Sequence, residues 1–161
     1  MLGELNKEMI EELLKTQLIG RIGCHANGVT YIVPVNFVYE SPYIYAHSAK
    51  GLKIDNMRKN PEVCFEVDKI ESLFIWQSVV CWGTFEEITD VSGSEQAMQK
   101  IIRSIEPYLA NAEDAHPSHG IVDQTSEIGS AKELIVYRIN LTKKTGRFEK
   151  REYAAGHSQE Q

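Results

Sequence analysis

The chain has 161 residues, the size of one ordinary domain, which leaves no room for a dinucleotide-binding domain plus a separate substrate domain. Hydrophobic residues make up 42% and charged residues 25%, so the chain can bury a core and is no disordered tail. The formal net charge of -6 argues against general binding along a phosphate backbone, so no nucleic-acid partner is expected.

No apolar run approaches the ~20 residues of a membrane span. Met1 to Lys15 carries four acidic residues and two basic ones, unlike a secretory signal or a transit peptide. No membrane association and a cytoplasmic location are therefore expected. Cys24, Cys64 and Cys81 are far apart, with no C-x-x-C pair, and read as small buried hydrophobes in strands rather than zinc ligands or disulfides.

In chain order, the first expected element is a helix, with Leu5, Met9, Leu13 and Leu14 at helical spacing. Leu18 to Ala26 and Val29 to Glu40 are β-branched and aromatic, and Asn27-Gly28 between them is a hairpin turn signal. Pro34 inside the second of these removes a ladder donor and so predicts an edge or a bulge. Ser41-Pro42 turns the chain into a strand over Tyr43 to His47. Leu52, Ile54, Met57 and Arg58 suit a short helix that Asn60-Pro61 stops. Strand texture returns over Glu62 to Lys69 and Phe74 to Ile88. Val91 to Ala112 reads as a helix with Ala97, Ile101, Ile102 and Ile105 as its apolar stripe and Pro107 as its end or kink. Glu113 to Ser130 reads as a polar surface excursion. Glu133 to Leu141 is a last strand, which Thr145 to Phe148 extends. The expected whole is one domain over residues 1–150, mainly β with some α, followed by a flexible tail over 151–161. About six strands, mostly antiparallel, with two or three helices, favour a small closed or nearly closed barrel.

The stretch from His47 to Asn60 carries the chemistry. Lys50 to Lys59 holds four basic residues against one acidic, in a chain that is acidic as a whole. A strand ends, a small polar loop with Ser48, Lys50 and Gly51 follows, and a helix opens at Leu52 and Lys53. Open backbone N–H groups, a glycine, a hydroxyl and a lysine together suit one phosphate. An ordinary turn with a solvated basic face fits the same residues.

Four pieces of text in order resemble one family. They are Leu18-Ile-Gly-Arg21-Ile-Gly; Val33-Pro34-Val35-Asn36-Phe37-Val-Tyr39; Ile44-Tyr-Ala-His47-Ser48-Ala-Lys50-Gly51-Leu52-Lys53 running to Asn60-Pro61-Glu-Val63-Cys-Phe65; and Trp76-Gln77-Ser78-Val79 with Gly83, joined by Thr145-Gly146-Arg147. The chain resembles the FMN-binding split-barrel superfamily of pyridoxamine 5′-phosphate oxidase-like proteins, and within it is most similar to the nitroimidazole-resistance flavoproteins. The resemblance covers residues 1–150 apart from the excursion around 113–130. It implies a six-stranded antiparallel split β-barrel with flanking helices, and a homodimer with FMN at the subunit interface. On that reading Ser48 and Lys53 hold the flavin phosphate, helped by N–H groups of the loop from Ala49 through Lys50 and Gly51 to Leu52. Val33, Pro34, Val35 and Asn36 run along the isoalloxazine, and Ser78 matches a flavin-contacting position. His47 lies near the flavin as the candidate catalytic residue, facing a small aromatic substrate such as a nitro compound.

Other residues stay open at this point. Arg21 either approaches the flavin phosphate or pairs with a carboxylate such as Glu66. Trp76 and Trp82, six apart on one strand face, are core or interface anchors, with Tyr39 a third candidate anchor. His25 reads as a surface residue, and the pair His116 and His119 sits in an unpromising context for a metal. No second phosphate site and no matching basic C-terminal segment are found, so vitamin B6 oxidation is not expected. The leading function is an FMN-dependent oxidoreductase. The alternatives are a haem-binding split-barrel protein, or a flavin-carrying module without turnover; FAD in place of FMN also stays open.

Overall fold

The computed structural model describes residues 1–109 and 134–151. The elements are β1 (Leu2–Glu4), α1 (Lys7–Thr16), β2 (Ile19–Ala26), β3 (Val29–Asn36), β4 (Val38–Glu40), β5 (Tyr43–Ala49), α2 (Leu52–Lys59), β6 (Glu62–Ser72), β7 (Ile75–Glu87), α3 (Val91–Leu109) and β8 (Leu134–Lys150).

Local sequence explains most of these boundaries. Asn6 caps α1 by accepting from the Met9 N–H at 2.9 Å. The apolar stripe of α1 buries Ile10, Leu13 and Leu14. The β2–β3 turn has positive φ at both central residues, 53° at Asn27 and 77° at Gly28, which is why this dipeptide serves there. In β2 the inward residues Ile22, Cys24 and Ala26 are buried, while Arg21 and His25 face out.

All the strand pairs are antiparallel, in the order β3-β2-β6-β7-β8-β5-β4, with β1 added on β8. The two ends of this path are β3 and β4, which are neighbours in the chain separated only by Phe37. One residue therefore carries the chain from one sheet edge to the other. The sheet rolls up on itself, and β3 and β5 come into contact at the seam. The split-barrel expectation stands. Its interior is filled by residues such as Phe37, Phe65, Val67, Val79, Tyr137 and Ile139, all with at most 1% exposure.

The strand count is corrected from six to eight among the described residues. A three-residue strand, β1, precedes the opening helix and pairs with Glu149, Phe148 and Arg147; it is too short to carry a period. The segment Val29 to Glu40, read as one strand, divides at Phe37 because its halves pair with different partners. Pro34 does lie in an edge strand, β3. Conversely, Leu134 to Lys150 is one strand of 17 residues, with a bulge opposite Trp82 and Gly83.

Cys24 and Cys81 are buried, whereas Cys64 is half-buried on the outer face; all three are free thiols in strands. Burial pushes the Cys81 thiol up to about 12. Tyr39 is 6% exposed, with its hydroxyl donating to Glu11, so it is a core residue and cannot anchor an interface. No helix among the described residues is long and apolar enough to cross a membrane. The 113–130 excursion, His116, His119 and the chain beyond Arg151 lie outside the described residues.

Candidate functional site

The seam of the barrel brings the expected residues of β3 and of the β5–α2 segment into one region, without Ser78. The β4–β5 register sets Val38 opposite Tyr45. Continued back along the chain, it aligns Asn36 with His47 and Val35 with Ser48, and β3 and β5 do touch. Val33, Pro34, Val35 and Asn36 thus face the end of β5 that leads into the Lys50–Gly51 loop and α2.

The backbone of β3 has a definite phase. The Phe37 N–H donates to the Leu18 carbonyl at 3.0 Å, and hydrogen-bonded pairs alternate along an antiparallel ladder. Val33 and Val35 therefore direct their backbone groups at β2, and Ile32, Pro34 and Asn36 direct theirs at the free edge. Pro34 has no N–H to leave unpaired there. The free edge offers carbonyls at Pro34 and Asn36 and an N–H at Asn36.

Across the seam, α2 opens without a side-chain cap. Gly51 occupies the N-cap, and the Asp55 N–H is bonded to the Gly51 carbonyl at 3.0 Å. The earlier N–H groups of the first turn are left open toward the loop. A Cβ built on Gly51 meets nothing within 4 Å, so the approach to these N–H groups is clear. Ser48 is half-buried and donates to the Ala49 carbonyl at 2.8 Å. Its oxygen lone pairs remain free, and its proton is available to a stronger acceptor. Lys50 and Leu52 are exposed.

Lys53 differs from its neighbours. It is half-buried, and no carboxylate among the described residues lies within ion-pair reach. Burial pushes its ammonium down, partly offset by the nearby Cys24 thiol. The other basic residues of the region behave otherwise: Arg58 pairs with Glu87, and Lys59 is exposed in the last turn of α2. A half-buried cation beside open N–H groups has the chemistry of an anion site, so these residues fit a phosphate group.

Two expected residues sit apart from the seam or find other partners. Arg21 faces outward and pairs with Glu66 at 3.0 Å and Asp68 at 2.9 Å, which settles its role as a carboxylate partner. The Glu66 hydrogen bond and the Asp68 charge raise its already high pKa. Ser78 donates to Glu66 at 2.9 Å, on the outer face of β7. It lies three strands from β3, about 14 Å at ordinary strand spacing. His47 lies within β5 opposite Val136, half-buried, on the face that also carries Tyr43 and Tyr45. Tyr45 lines a polar cleft of about 310 Å³ between that face and α3, together with Lys100, Arg138 and Glu87.

Residues 6–148 match the protein-family model described as pyridoxamine 5′-phosphate oxidase. The chain belongs to this family. An uncharacterized protein of Rhizobium meliloti (strain 1021) is 29% identical over 89 residues; the match spans 55% of this chain and 59% of the relative. Among solved structures, a FAD-binding protein from Mesorhizobium loti superposes with a TM-score of 0.72 at 25% identity, covering 93% of this chain and 99% of its own. A candidate 5-nitroimidazole antibiotic resistance protein from Bacteroides thetaiotaomicron superposes with a TM-score of 0.66 at 21% identity, covering 92% of this chain and 87% of its own. This second likeness is one of fold. Within the pyridoxamine 5′-phosphate oxidase family, the barrel interior of this member also contains two buried polar side chains that sequence reasoning missed, Asn56 of α2 and Tyr137 of β8. Both stand at positions of apolar periodicity, where an amide or a phenol reads as core filling.

Proposed function

We propose that this protein binds FMN at the β3–β5 seam and acts as a flavin-dependent oxidoreductase on a small aromatic acceptor, with nitroaromatic compounds the leading class. The observation that carries the reading is Lys53, a half-buried cation without a carboxylate partner among the described residues, beside the uncapped first turn of α2. One lysine and one helix start suit one phosphate, which favours FMN over FAD. The Mesorhizobium loti neighbour is a FAD-binding protein and the Bacteroides thetaiotaomicron one a candidate nitroimidazole resistance protein; both support a flavin, and the choice of FMN rests on the single phosphate site alone.

Ser48, Lys53 and the N–H groups of Gly51 and Leu52 would hold the phosphate, with Lys50 adding charge at the rim. The free-edge carbonyls and N–H of Pro34 and Asn36 would read the polar edge of the ring, flanked by Val33 and Val35. FMN supplies the two-electron chemistry, and the protein supplies position and electrostatics. His47 shares its face of β5 with the cleft at Tyr45 and is proposed to hand a proton to the acceptor.

A second copy of the chain completes this reading. The outer face of the sheet carries a row of Ile32, Gly23, Cys64 and Trp82, with Ile32 65% and Trp82 39% exposed. An open apolar row of this kind is suited to a two-fold contact. Ser78, distant from its own chain's seam, would then be presented by the partner.

Lys53→Ala tests the phosphate site by fluorescence titration. A charge-assisted hydrogen bond contributes roughly 1.5–3 kcal/mol, so FMN affinity should fall about ten- to a hundredfold. Riboflavin lacks the phosphate and should bind the variant and the wild type alike. Lys59→Ala serves as the control and should change neither. Wild-type FMN affinity in Lys53→Ala, or an equal loss of riboflavin, sinks the assignment.

A further inference from the structure

Beneath α2 the interior of the barrel turns polar. Asn56 is buried there, at 5% exposure. It follows Lys53 by three residues and so shares a face of α2 with it. That face packs across β2, where the Cys24 thiol is 2% exposed, lies beside Asn56 and donates to the Tyr31 carbonyl at 3.6 Å. Tyr137 reaches the same space from β8. It pairs with Ala46 of β5, one inward position before Ser48, where the strand leads into the phosphate loop. Lys53 and Tyr137 both lie near Cys24.

The Tyr137 side chain is fully buried, yet its hydroxyl has no hydrogen-bond partner among the described residues. A hydroxyl in that position weakens the fold unless something takes its bond, and native proteins keep such groups rare. The ring itself packs against Phe85 at 5.3 Å between centroids, a contact phenylalanine would make equally well. The hydroxyl is therefore not explained by packing.

We propose that Tyr137 is a positioning residue of the anion site: its hydroxyl donates to one bound water, which also receives the ammonium of Lys53 and donates to the Asn56 side chain. A buried water needs two to four polar partners, and Tyr137, Asn56, Lys53 and the Cys24 sulfur supply that number. The water keeps the Lys53 ammonium at the mouth of α2, aimed at the loop, instead of folding along the apolar wall. The inference rests on the loop being a phosphate site, and adds the part of the chain that aims its cation.

Tyr137→Phe removes the hydroxyl and no carbon atom. The variant should stay folded and melt within a few degrees of the wild type, because one water-mediated bond and no packing contact is lost. Its FMN affinity should fall about three- to tenfold, the size of one water-mediated hydrogen bond, with riboflavin affinity unchanged. In the Lys53→Ala background the same substitution should have no further effect on FMN, since its action passes through the lysine. Wild-type FMN affinity in Tyr137→Phe, additive losses in the double variant, or equal losses of both flavins would each overturn the assignment while leaving the phosphate site standing. Wild-type protein that binds FMN no tighter than riboflavin would remove the phosphate site itself, and this inference with it.

Discussion

Lys144→Met gives a sharp test of how α1 is held to the barrel. The Lys144 ammonium donates to the Glu11 carboxylate and to the Tyr39 hydroxyl, and that hydroxyl donates to Glu11 at 2.8 Å. Three elements, α1, β4 and β8, meet in this triad. Side-chain exposure is 21% at Lys144 and 23% at Glu11, so solvent screens the pair only in part. Methionine keeps the apolar stem but deletes two charge-assisted hydrogen bonds, each contributing roughly 1.5–3 kcal/mol, and leaves the Tyr39–Glu11 bond in place. The expected loss near neutral pH is about 2–4 kcal/mol. Burial pushes the Glu11 carboxyl up, but the hydrogen bonds from Lys144 and Tyr39 outweigh it and the net shift is downward. A carboxyl lowered in the folded state stabilises above its unfolded pKa, and that contribution disappears as pH falls through the folded value. The gap between wild type and variant should therefore be widest near neutrality and narrow below about pH 4. At the alkaline end the sign reverses: burial pushes Lys144 down, its bonds to Glu11 and Tyr39 outweigh that and leave it raised, and its contribution fades as pH climbs past the raised value. Urea unfolding of both proteins at about pH 7, 5 and 3.5 reads this directly. A gap below about 0.5 kcal/mol, or one that does not narrow on acidification, would refute the reasoning.

Two further outcomes follow from the proposed function. Trp82→Glu places a charge in the exposed outer row, and light scattering should show the wild type as a dimer and the variant as a monomer; a monomeric wild type with flavin bound would rule the second copy out. His47→Ala should leave FMN affinity within about twofold of wild type while lowering turnover of a nitroaromatic acceptor by about a hundredfold, the usual range for losing a general acid, and unchanged turnover would reduce His47 to a strand residue.

Much of the fold was legible because local chemistry and global architecture agree. Asn27-Gly28 demanded positive φ at two successive positions, and only a tight hairpin uses that. Alternation in β2 and the apolar stripe of α1 reported burial directly. What stayed hidden was pairing. Nothing in Val29 to Glu40 marks the change of partner at Phe37, because both halves keep strand texture. The three residues of β1 are shorter than any period a pattern can express.

The site was legible to a different degree, and Pro34 shows why. Its presence announced an edge, and the ladder phase adds that its missing N–H falls on the open side, where Asn36 also exposes its backbone. An edge strand is a liability unless something covers it. Here the barrel leaves β3 open opposite the Lys50–Gly51 loop, and Phe37, 1% exposed and edge-on to Phe65 at 4.8 Å, pins the crossing that keeps it so. A planar ligand with hydrogen-bonding groups along one edge and a phosphate at its end would satisfy both sides of the seam at once. Sequence alone exposes each half of that demand, in Val33 to Asn36 and in His47 to Lys53. Only the closure of the sheet at one residue places the halves across from each other.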